Sequence, residues 1–284
     1  MGTKRLTALV PAFNDDYTLW LALRSYAEVF DEIIVFDDCS DDHTAEVVLD
    51  AAARYRNVRL VARSRSDVAD LQQLGWVHAR NELLAATDSD WLFWLDADDV
   101  LIEERAPVLQ QIAEGPHAAV LLSLAEMWGD RDHTTQRLRH RDRCHVFTRR
   151  SAIPSLHWFG LKMAKAMRMV AGTRKSLPSK PSPAPLFWHC KGLKSDERLA
   201  QRRLIRKWLR SKRGGTLPDF QGEQDAFTLH RSAMRLLFRG GDTMKKHTGT
   251  PPIPNAIAGS PRRFRITYKD GVPVDREDLG WGGP

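Results

Sequence analysis

Three aspartates, Asp96, Asp98 and Asp99, close an apolar run in the segment FWLDADDV, residues 93–100. Negative charges this close repel one another and raise each other's pKa unless a positive group lies among them. Two carboxylates in a D-x-D arrangement after a buried strand are suited to binding a hard divalent cation through their oxygens. A second interpretation is that Asp99 caps the following helix while the other two aspartates are solvated. The spacing alone leaves both interpretations open.

The sequence around these aspartates alternates between runs typical of strands and runs typical of helices. Strands are predicted at residues 6–12, 32–38, 57–62, 91–95 and 117–128. Helices are predicted between them at residues 15–30, 41–55, 69–86 and 101–114. This alternation predicts a parallel sheet with helices on both faces, in which ligands bind at the carboxyl ends of the strands. The acidic clusters at Asp37–Asp38 and Asp96–Asp99 lie at such ends.

The second half of the chain has a looser pattern. Strands are predicted at residues 143–150 and 185–192, and helices at residues 195–215 and 225–238. Ser195 is a suitable N-cap for the first of these helices. Residues 240–261 have the composition of a linker, and residues 263–278 predict a terminal hairpin that turns at Asp270-Gly271.

Four motifs occur in order, each at the end of a predicted strand or at the start of a helix. They are VPAFND, VFDDCSDDHT, GWVHARN and FWLDADD, at residues 10–15, 35–44, 75–81 and 93–99. This succession resembles the family 2 glycosyltransferases of the GT-A fold, over about the first 125 residues. The resemblance implies a Rossmann-like α/β fold with a mixed, mainly parallel sheet flanked by helices. It also implies sugar transfer from a nucleotide-diphosphate donor, most readily a UDP-sugar, to an acceptor hydroxyl with Mn²⁺ or Mg²⁺.

Carried over by position, the resemblance implies a donor site and a metal site. The donor site would comprise Pro11, Ala12, Phe13, Asn14, Asp37, Asp38, Arg80, Asp96 and Lys191. The metal ligands would be Asp96, Asp98 and His189, with Asp98 the direct ligand and therefore part of the catalytic machinery. Considered singly, Phe13 could instead be a core residue, Arg80 a surface arginine and His189 a structural histidine. Two further residues after Lys191, Lys194 and Arg198, could contact the donor phosphates or form a solvated face.

The catalytic base is the least defined part of the predicted site. Inverting members of the family use an Asp or Glu to deprotonate the acceptor hydroxyl. In relatives that modify lipopolysaccharide core, this carboxylate belongs to a His-Glu pair, but the matching segment here is SLHWFG, in which Trp158 replaces the Glu. The remaining candidates are Glu126, Asp130, Asp132 and His157.

Charge divides the chain into two halves. Residues 1–127 carry 10 Lys and Arg against 23 Asp and Glu, whereas residues 128–284 carry 33 against 13. The net charge is therefore −13 in the first half and +20 in the second, which indicates that the second half faces something anionic. We expect an acidic donor-binding half at 1–127, a basic acceptor-binding helical half at 128–240, and a linker with a hairpin at 241–284.

The basic residues suggest the class of acceptor. The candidate acceptor-binding residues lie in RRLIRKWLRSKR and are Arg202, Arg203, Arg206, Lys207 and Trp208. They could hold nucleic acid, by phosphate neutralisation and stacking on Trp208, or lie on anionic lipid headgroups. We expect nucleic acid, with hydroxylated DNA bases as the favoured acceptor and a lipid-linked or envelope saccharide as the alternative. A non-catalytic nucleic-acid-binding protein on a degenerate transferase fold is a further alternative.

Composition excludes several classes of protein. No apolar run reaches the roughly 20 residues of a membrane-spanning helix. The three cysteines, Cys39, Cys144 and Cys190, have spacings that suggest neither a disulfide framework nor a zinc site. These features predict a cytoplasmic protein with reduced thiols.

Overall fold

The structure is a computed structural model that describes residues 4–63, 77–116, 119–135, 144–149, 184–200, 230, 244–249, 251–270 and 272–283. The strands in these ranges are β1 (Leu6–Ala12), β2 (Glu32–Asp37), β3 (Val58–Arg63), β4 (Trp91–Trp94), β5 (Asp99–Leu101), β6 (Ala119–Glu126), β7 (His133–Thr135), β8 (Cys144–Arg149), β9 (Phe187–His189), β10 (Met244–Lys246), β11 (Phe264–Lys269) and β12 (Val272–Asp278). The helices are α1 (Asp16–Tyr26), α2 (Thr44–Arg54), α3 (Val77–Ala85), α4 (Ala106–Glu114) and α5 (Asn255–Ala258). No helix in the described ranges is both long and apolar enough to cross a bilayer.

Eight strands form one mixed sheet in the order β3-β2-β1-β4-β8-β6-β9-β5. β1 pairs in parallel with β2 and β4, and β2 pairs in parallel with β3. β8 is antiparallel to both of its neighbours, β4 and β6, and β9 is parallel to β6. The predicted fold class, a mixed and mainly parallel sheet flanked by helices, is therefore confirmed. The predicted basic helical extension lies outside the described residues, apart from its first turn at 196–200.

Alternating apolar residues in the central strands bury both faces of the sheet. In β1, Val10 packs in one cluster with Leu19 of α1, while its neighbour Leu9 packs on the other face with Leu83 of α3. All four of these side chains are fully buried. Successive side chains of a strand point to opposite faces of the sheet. A parallel strand with helices packed on both faces therefore requires a near-continuous apolar run such as this one.

The segment after the aspartates differs from its prediction. A helix was predicted over residues 101–114, but α4 begins at Ala106, after a 3₁₀ turn at Glu103–Arg105. Leu101 instead closes β5, which is antiparallel to β9. The backbone N–H of Leu101 donates to Ser25 Oγ at 3.0 Å. These partners are distant in sequence, so local periodicity did not indicate the strand.

The C-terminal segment packs on the sheet domain. β11 and β12 form the predicted hairpin, whose turn places Asp270 at a positive φ of 53°. Residues 240–261 have the composition of a linker, but they contain β10, which is antiparallel to β7, and α5. Phe264 of β11 packs edge-on against Tyr17 of α1, with ring centroids 6.2 Å apart. The hairpin thereby closes a second apolar cluster that includes Val100 of β5 and Trp188 of β9.

Candidate active site

The loops that follow β1 and β2 are hydrogen-bonded to each other. Asn14, at a positive φ of 50°, donates its backbone N–H to Ser40 Oγ at 2.9 Å, and its side-chain oxygen accepts from the backbone N–H of Asp41 at 2.8 Å. The buried Asp37 accepts from the hydroxyl of Ser40 at 2.5 Å. Asp38, also buried, donates its backbone N–H to the carbonyl of Ala12 at 2.9 Å. The predicted nucleotide-binding residues of the two loops are thus held together at adjacent strand ends.

The three aspartates of FWLDADDV have different environments. Asp99 is fully buried, and its Oδ2 accepts the backbone N–H of Asp96 at 2.8 Å. It therefore closes the turn between β4 and β5 and is the first residue of β5 rather than a helix cap. Asp98 is also buried, whereas the side chain of Asp96 is 42% exposed. Asp96 Oδ1 lies 4.0 Å from Nη2 of Arg80, whose pKa is lowered by burial while the Asp96 carboxylate opposes that shift.

His189 lies directly against these carboxylates. Its Nδ1 is 2.9 Å from Asp99 Oδ1 and 3.5 Å from Asp98 Oδ1. Burial by itself lowers the pKa of His189, but the two carboxylates outweigh burial, so that the pKa is raised overall. Asp96, Asp99 and His189 each offer one potential ligand atom, and these three atoms all lie within 4.8 Å of one another. The predicted ligands were Asp96, Asp98 and His189. The compact group of ligand atoms contains Asp99 in place of Asp98.

These groups fit a divalent cation. Carboxylate oxygens suit Mn²⁺ and Mg²⁺, and an imidazole nitrogen is a common ligand of transition metals. Buried carboxylates that crowd one another also need a positive charge among them. The donor set is thus consistent with the predicted metal site, whose individual ligands remain predictions.

A buried lysine meets this cluster from the segment after β9. Lys194 Nζ contacts Asp15 Oδ1 and lies 3.1 Å from Asp98 Oδ2, and both carboxylate side chains are almost wholly buried. Nε of Arg198 lies 3.4 Å from the same Asp15 oxygen, and its guanidinium stacks over the ring of Phe13 at 5.1 Å. Asp15 received no role from the sequence, although it ends the VPAFND motif. Its partners lie about 180 residues away, so no local signal could have revealed the contact.

The candidate bases are placed very differently. Glu126 is buried at the end of β6, and its register partner across the parallel β6–β9 pair is His189. Asp130 instead accepts the backbone N–H groups of Asp132 at 3.0 Å and Ile266 at 3.3 Å, and contacts the His133 ring. Both of its oxygens are therefore engaged in fixing the hairpin, which makes Asp130 a poor base. Asp132 in turn pairs with Arg262 at 2.6 Å.

Several predicted residues lie outside the described residues. They are His157, Arg202, Arg203, Arg206, Lys207 and Trp208. The backbone of Lys191 belongs to a 3₁₀ turn, Lys191–Leu193, but its side chain is likewise outside the description. The acceptor-binding assignments therefore remain predictions.

A family model described as glycosyl transferase family 2 matches residues 7–171, more than half of the chain. The chain belongs to this family. The match agrees with the four motifs in order and with the mixed α/β sheet that carries them. The family that the four motifs resemble is therefore confirmed.

Two curated relatives share parts of the chain. A TPR repeat-containing protein of Synechococcus elongatus is 33% identical over 104 residues, which cover 37% of this chain and 23% of the relative. The dolichyl-phosphate beta-glucosyltransferase ALG5D of Trichomonas vaginalis is 33% identical over 94 residues, which cover 29% of each chain. The chain thus spans less than a third of the length of these curated relatives.

Two solved structures are similar across most of the chain. S. aureus TarS in complex with UDP is 14% identical, with 81% of this chain and 71% of that chain covered at a TM-score of 0.49. The mannosyltransferase PcManGT from Pyrobaculum calidifontis, in complex with GDP-Man and Mn²⁺, is 15% identical, with 82% and 70% covered at the same TM-score of 0.49. At a TM-score below 0.5 neither similarity bears on what this chain binds.

Proposed function

We propose that this transferase is metal-dependent and uses a nucleoside-diphosphate sugar, most readily a UDP-sugar, with the diphosphate bound at the FWLDADDV turn. The observation that carries the proposal is the convergence of Asp96, Asp99 and His189 within 4.8 Å at the carboxyl edge of the sheet. Asp96, Asp98 and His189, with Asp99 beside them, would hold Mn²⁺ or Mg²⁺. When bound, the ion supplies positive charge against the diphosphate leaving group.

The donor would extend from this turn to the loops after β1 and β2. Pro11, Ala12, Phe13 and Asn14 would line the base and ribose, and Asp37 and Asp38 would accept hydrogen bonds from the base. Two cations lie next to the carboxylate cluster: Lys194, which is buried, and Arg80, whose side chain is 14% exposed. They would stabilise the negative charge that develops on the diphosphate as its bond to the sugar breaks. Preorganised charged groups do this best in a water-excluded site.

Glu126 is the candidate base with the most support. It lies in the strand next to His189, at the same level of the sheet, whereas both oxygens of Asp130 are engaged elsewhere. Glu126 would accept the proton of the acceptor hydroxyl as that oxygen bonds to the anomeric carbon and the bond to the diphosphate breaks. Proton transfer to a positioned carboxylate typically accelerates such a step by about 10²–10⁴-fold.

For the acceptor, we propose a lipid-linked or cell-envelope saccharide, with hydroxylated DNA bases as the second candidate. The Trichomonas vaginalis relative is a dolichyl-phosphate beta-glucosyltransferase, a name that indicates a lipid phosphate as its acceptor. The preference for DNA depends on the basic residues around Arg206 and on the Trp208 ring, and has no support beyond them. Both candidates are anionic and would suit the net charge of +20 in the second half of the chain.

The test is mass spectrometry of candidate acceptors after incubation with a panel of UDP- and GDP-sugars and Mn²⁺. The acceptors are polyprenyl phosphates, envelope saccharides and hydroxymethylated DNA in single- and double-stranded form. A hexose or pentose mass added to a lipid or saccharide supports the proposal. Addition to DNA alone would replace it with the second candidate, and donor consumption without EDTA sensitivity would contradict the metal assignment.

A further inference from the structure

Arg276 is a wholly buried arginine that reaches the segment after β9 from the C-terminal hairpin. Its Nη1 donates to the carbonyl of Gly192 at 2.8 Å, and its Nη2 donates to the carbonyl of Lys194 at 2.5 Å. Nη2 also lies 3.2 Å from Asp196 Oδ1, and the guanidinium stacks over the Phe264 ring at 3.8 Å. The guanidinium of Arg276, on β12, thus contacts Gly192, Lys194 and Asp196 in a segment that is not paired with β12.

The same segment is held from its other side by a close backbone approach. A Cβ placed on Gly192 would lie 2.2 Å from the backbone nitrogen of Gly129 and 2.9 Å from the Cα of Trp128. Only a residue without a side chain fits there, because contacts this short with backbone atoms cannot be relieved by a rotamer change. The 3₁₀ turn at Lys191–Leu193 is therefore clamped between the 128–129 backbone and the guanidinium of Arg276.

The clamped segment carries the cations of the candidate active site. Lys194 contacts the carboxylate of Asp15 and lies 3.1 Å from that of Asp98. One residue later, Ser195 accepts the backbone N–H of Arg198 on its Oγ at 3.2 Å, which caps the turn that carries Arg198. The guanidinium of Arg198 stacks over Phe13 in the predicted base-binding loop. One of the two backbone carbonyls that Arg276 binds is that of Lys194 itself.

We propose that Arg276 is a positioning residue for glycosyl transfer, acting through the backbone of Gly192 and Lys194 to set the Lys194 ammonium beside Asp98. The proposal rests on the proposed function, in which Lys194 faces the donor diphosphate. It makes the C-terminal hairpin part of the donor-site machinery rather than a separate appendage. Burying a guanidinium is costly unless it is paired and hydrogen-bonded, and burial lowers the pKa of Arg276 to about 10, although Asp196 opposes that shift.

A purely structural role is the competing explanation, and a double-mutant cycle separates the two. Binding of UDP, and in parallel GDP, with Mn²⁺ is measured by calorimetry for the wild type, Arg276→Lys, Lys194→Met and the double variant. Lysine keeps the charge but cannot donate from a planar fork to two carbonyls at once. Each single variant should weaken nucleotide binding by about tenfold or more, as loss of a group that orients a ligand-binding side chain does. In the Lys194→Met background, Arg276→Lys should have little further effect.

Arg263→Lys is the matched control. The side chain of Arg263 is only 12% exposed, stacks over the same Phe264 ring at 5.2 Å and pairs with Asp16 at 3.0 Å and Asp278 at 3.4 Å. It touches neither Gly192 nor Lys194 in any described contact. Arg263→Lys should lower the melting temperature to a similar degree while leaving nucleotide affinity within about twofold, the range expected when no ligand contact changes.

Each outcome decides the proposal. Equal losses from Arg276→Lys in the wild-type and Lys194→Met backgrounds would overturn the positioning role and leave the proposed function intact. An unchanged affinity in Lys194→Met would remove Lys194 from the donor site, and the positioning role with it. If Arg276→Lys does not fold, Arg276→Gln, which loses the charge but keeps one planar amide donor, takes its place. Its loss of nucleotide affinity should likewise vanish in the Lys194→Met background, and an undiminished loss would overturn the proposal.

Discussion

Asp99 and His189 face each other across the antiparallel β5–β9 pair, with His189 Nδ1 2.9 Å from Asp99 Oδ1. Glu126 occupies the matching position on the other side of β9, so three ionisable groups form one row across three neighbouring strands. Asp99 also accepts the backbone N–H of Asp96, which fixes the turn that carries Asp98. One buried carboxylate thus orients both the imidazole and the acidic turn, a role often taken by residues behind the ligands of metal sites.

His189→Ala should weaken Mn²⁺ binding by about tenfold or more, because an imidazole ligand and the partner of Asp99 are lost together. Titration of Mn²⁺ in the presence of UDP measures the change. His133→Ala is the control, since His133 is equally buried at 13% side-chain exposure and pairs with Asp130 in a similar way. An unaltered Mn²⁺ titration in His189→Ala would make His189 a structural residue.

Asp38→Asn should weaken UDP binding by about tenfold or more, since hydrogen bonds to a charged group contribute about 1.5–3 kcal/mol. The asparagine keeps the backbone N–H that donates to Ala12, so the loop geometry is preserved. Asp41→Asn is the matched control, because Asp41 is exposed in the same loop and its backbone N–H contact with Asn14 is unaffected. Equal affinities in both variants would remove Asp38 from the nucleotide site.

Glu126→Gln should lower kcat by about 10²–10⁴-fold with the acceptor found by mass spectrometry, because glutamine cannot take the hydroxyl proton. UDP affinity should stay unchanged, since the assigned role concerns the acceptor. Glu103→Gln serves as the control: Glu103 accepts the backbone N–H groups of Asn255 and Ala256 on separate oxygens, and glutamine keeps one of these two contacts. A kcat within about threefold of the wild type in Glu126→Gln would show that Glu126 is not the base, and His157 would be the next candidate.

His230 should make folding stability depend on pH. Burial lowers its pKa, but hydrogen bonds to Asp196 and Asp275 outweigh burial and raise it overall. A raised folded-state pKa contributes stability that is fully present below the unfolded value of about 6.5 and is lost as pH rises through the folded value. The stability difference between the wild type and His230→Gln, measured by urea unfolding, should therefore be largest near pH 5.5 and shrink towards pH 9.

His247 should give folding stability the opposite pH dependence. Burial lowers its pKa, with only Asp132 opposing the shift. The unfolded chain therefore binds the proton more readily, and stability falls as pH drops below the unfolded value. His247→Gln should become relatively more stable at pH 5.5, whereas His230→Gln should become relatively less stable. The same pH trend in both variants would contradict the assignment of the two shifts.

Local pattern was enough to predict the elements that carry the donor site. The apolar run of β1 coincides with its predicted span at residues 6–12, and the hairpin turns at Asp270 as the Asp-Gly pair indicated. The contacts that the sequence could not reveal join distant segments: Lys194 with Asp15, Arg276 with Gly192, and β5 with β9. Each depends on tertiary packing that periodicity and short motifs do not encode.

In the proposed function, a metal held at the FWLDADDV turn supports cleavage of the donor. The most direct measurement is release of nucleoside diphosphate from a panel of UDP- and GDP-sugars, with Mn²⁺ or with EDTA, by the wild type and Asp98→Asn. We expect turnover of at least one donor with Mn²⁺, and loss of that turnover both with EDTA and in Asp98→Asn. Turnover that persists in EDTA, or that Asp98→Asn leaves unchanged, would contradict this role of the metal.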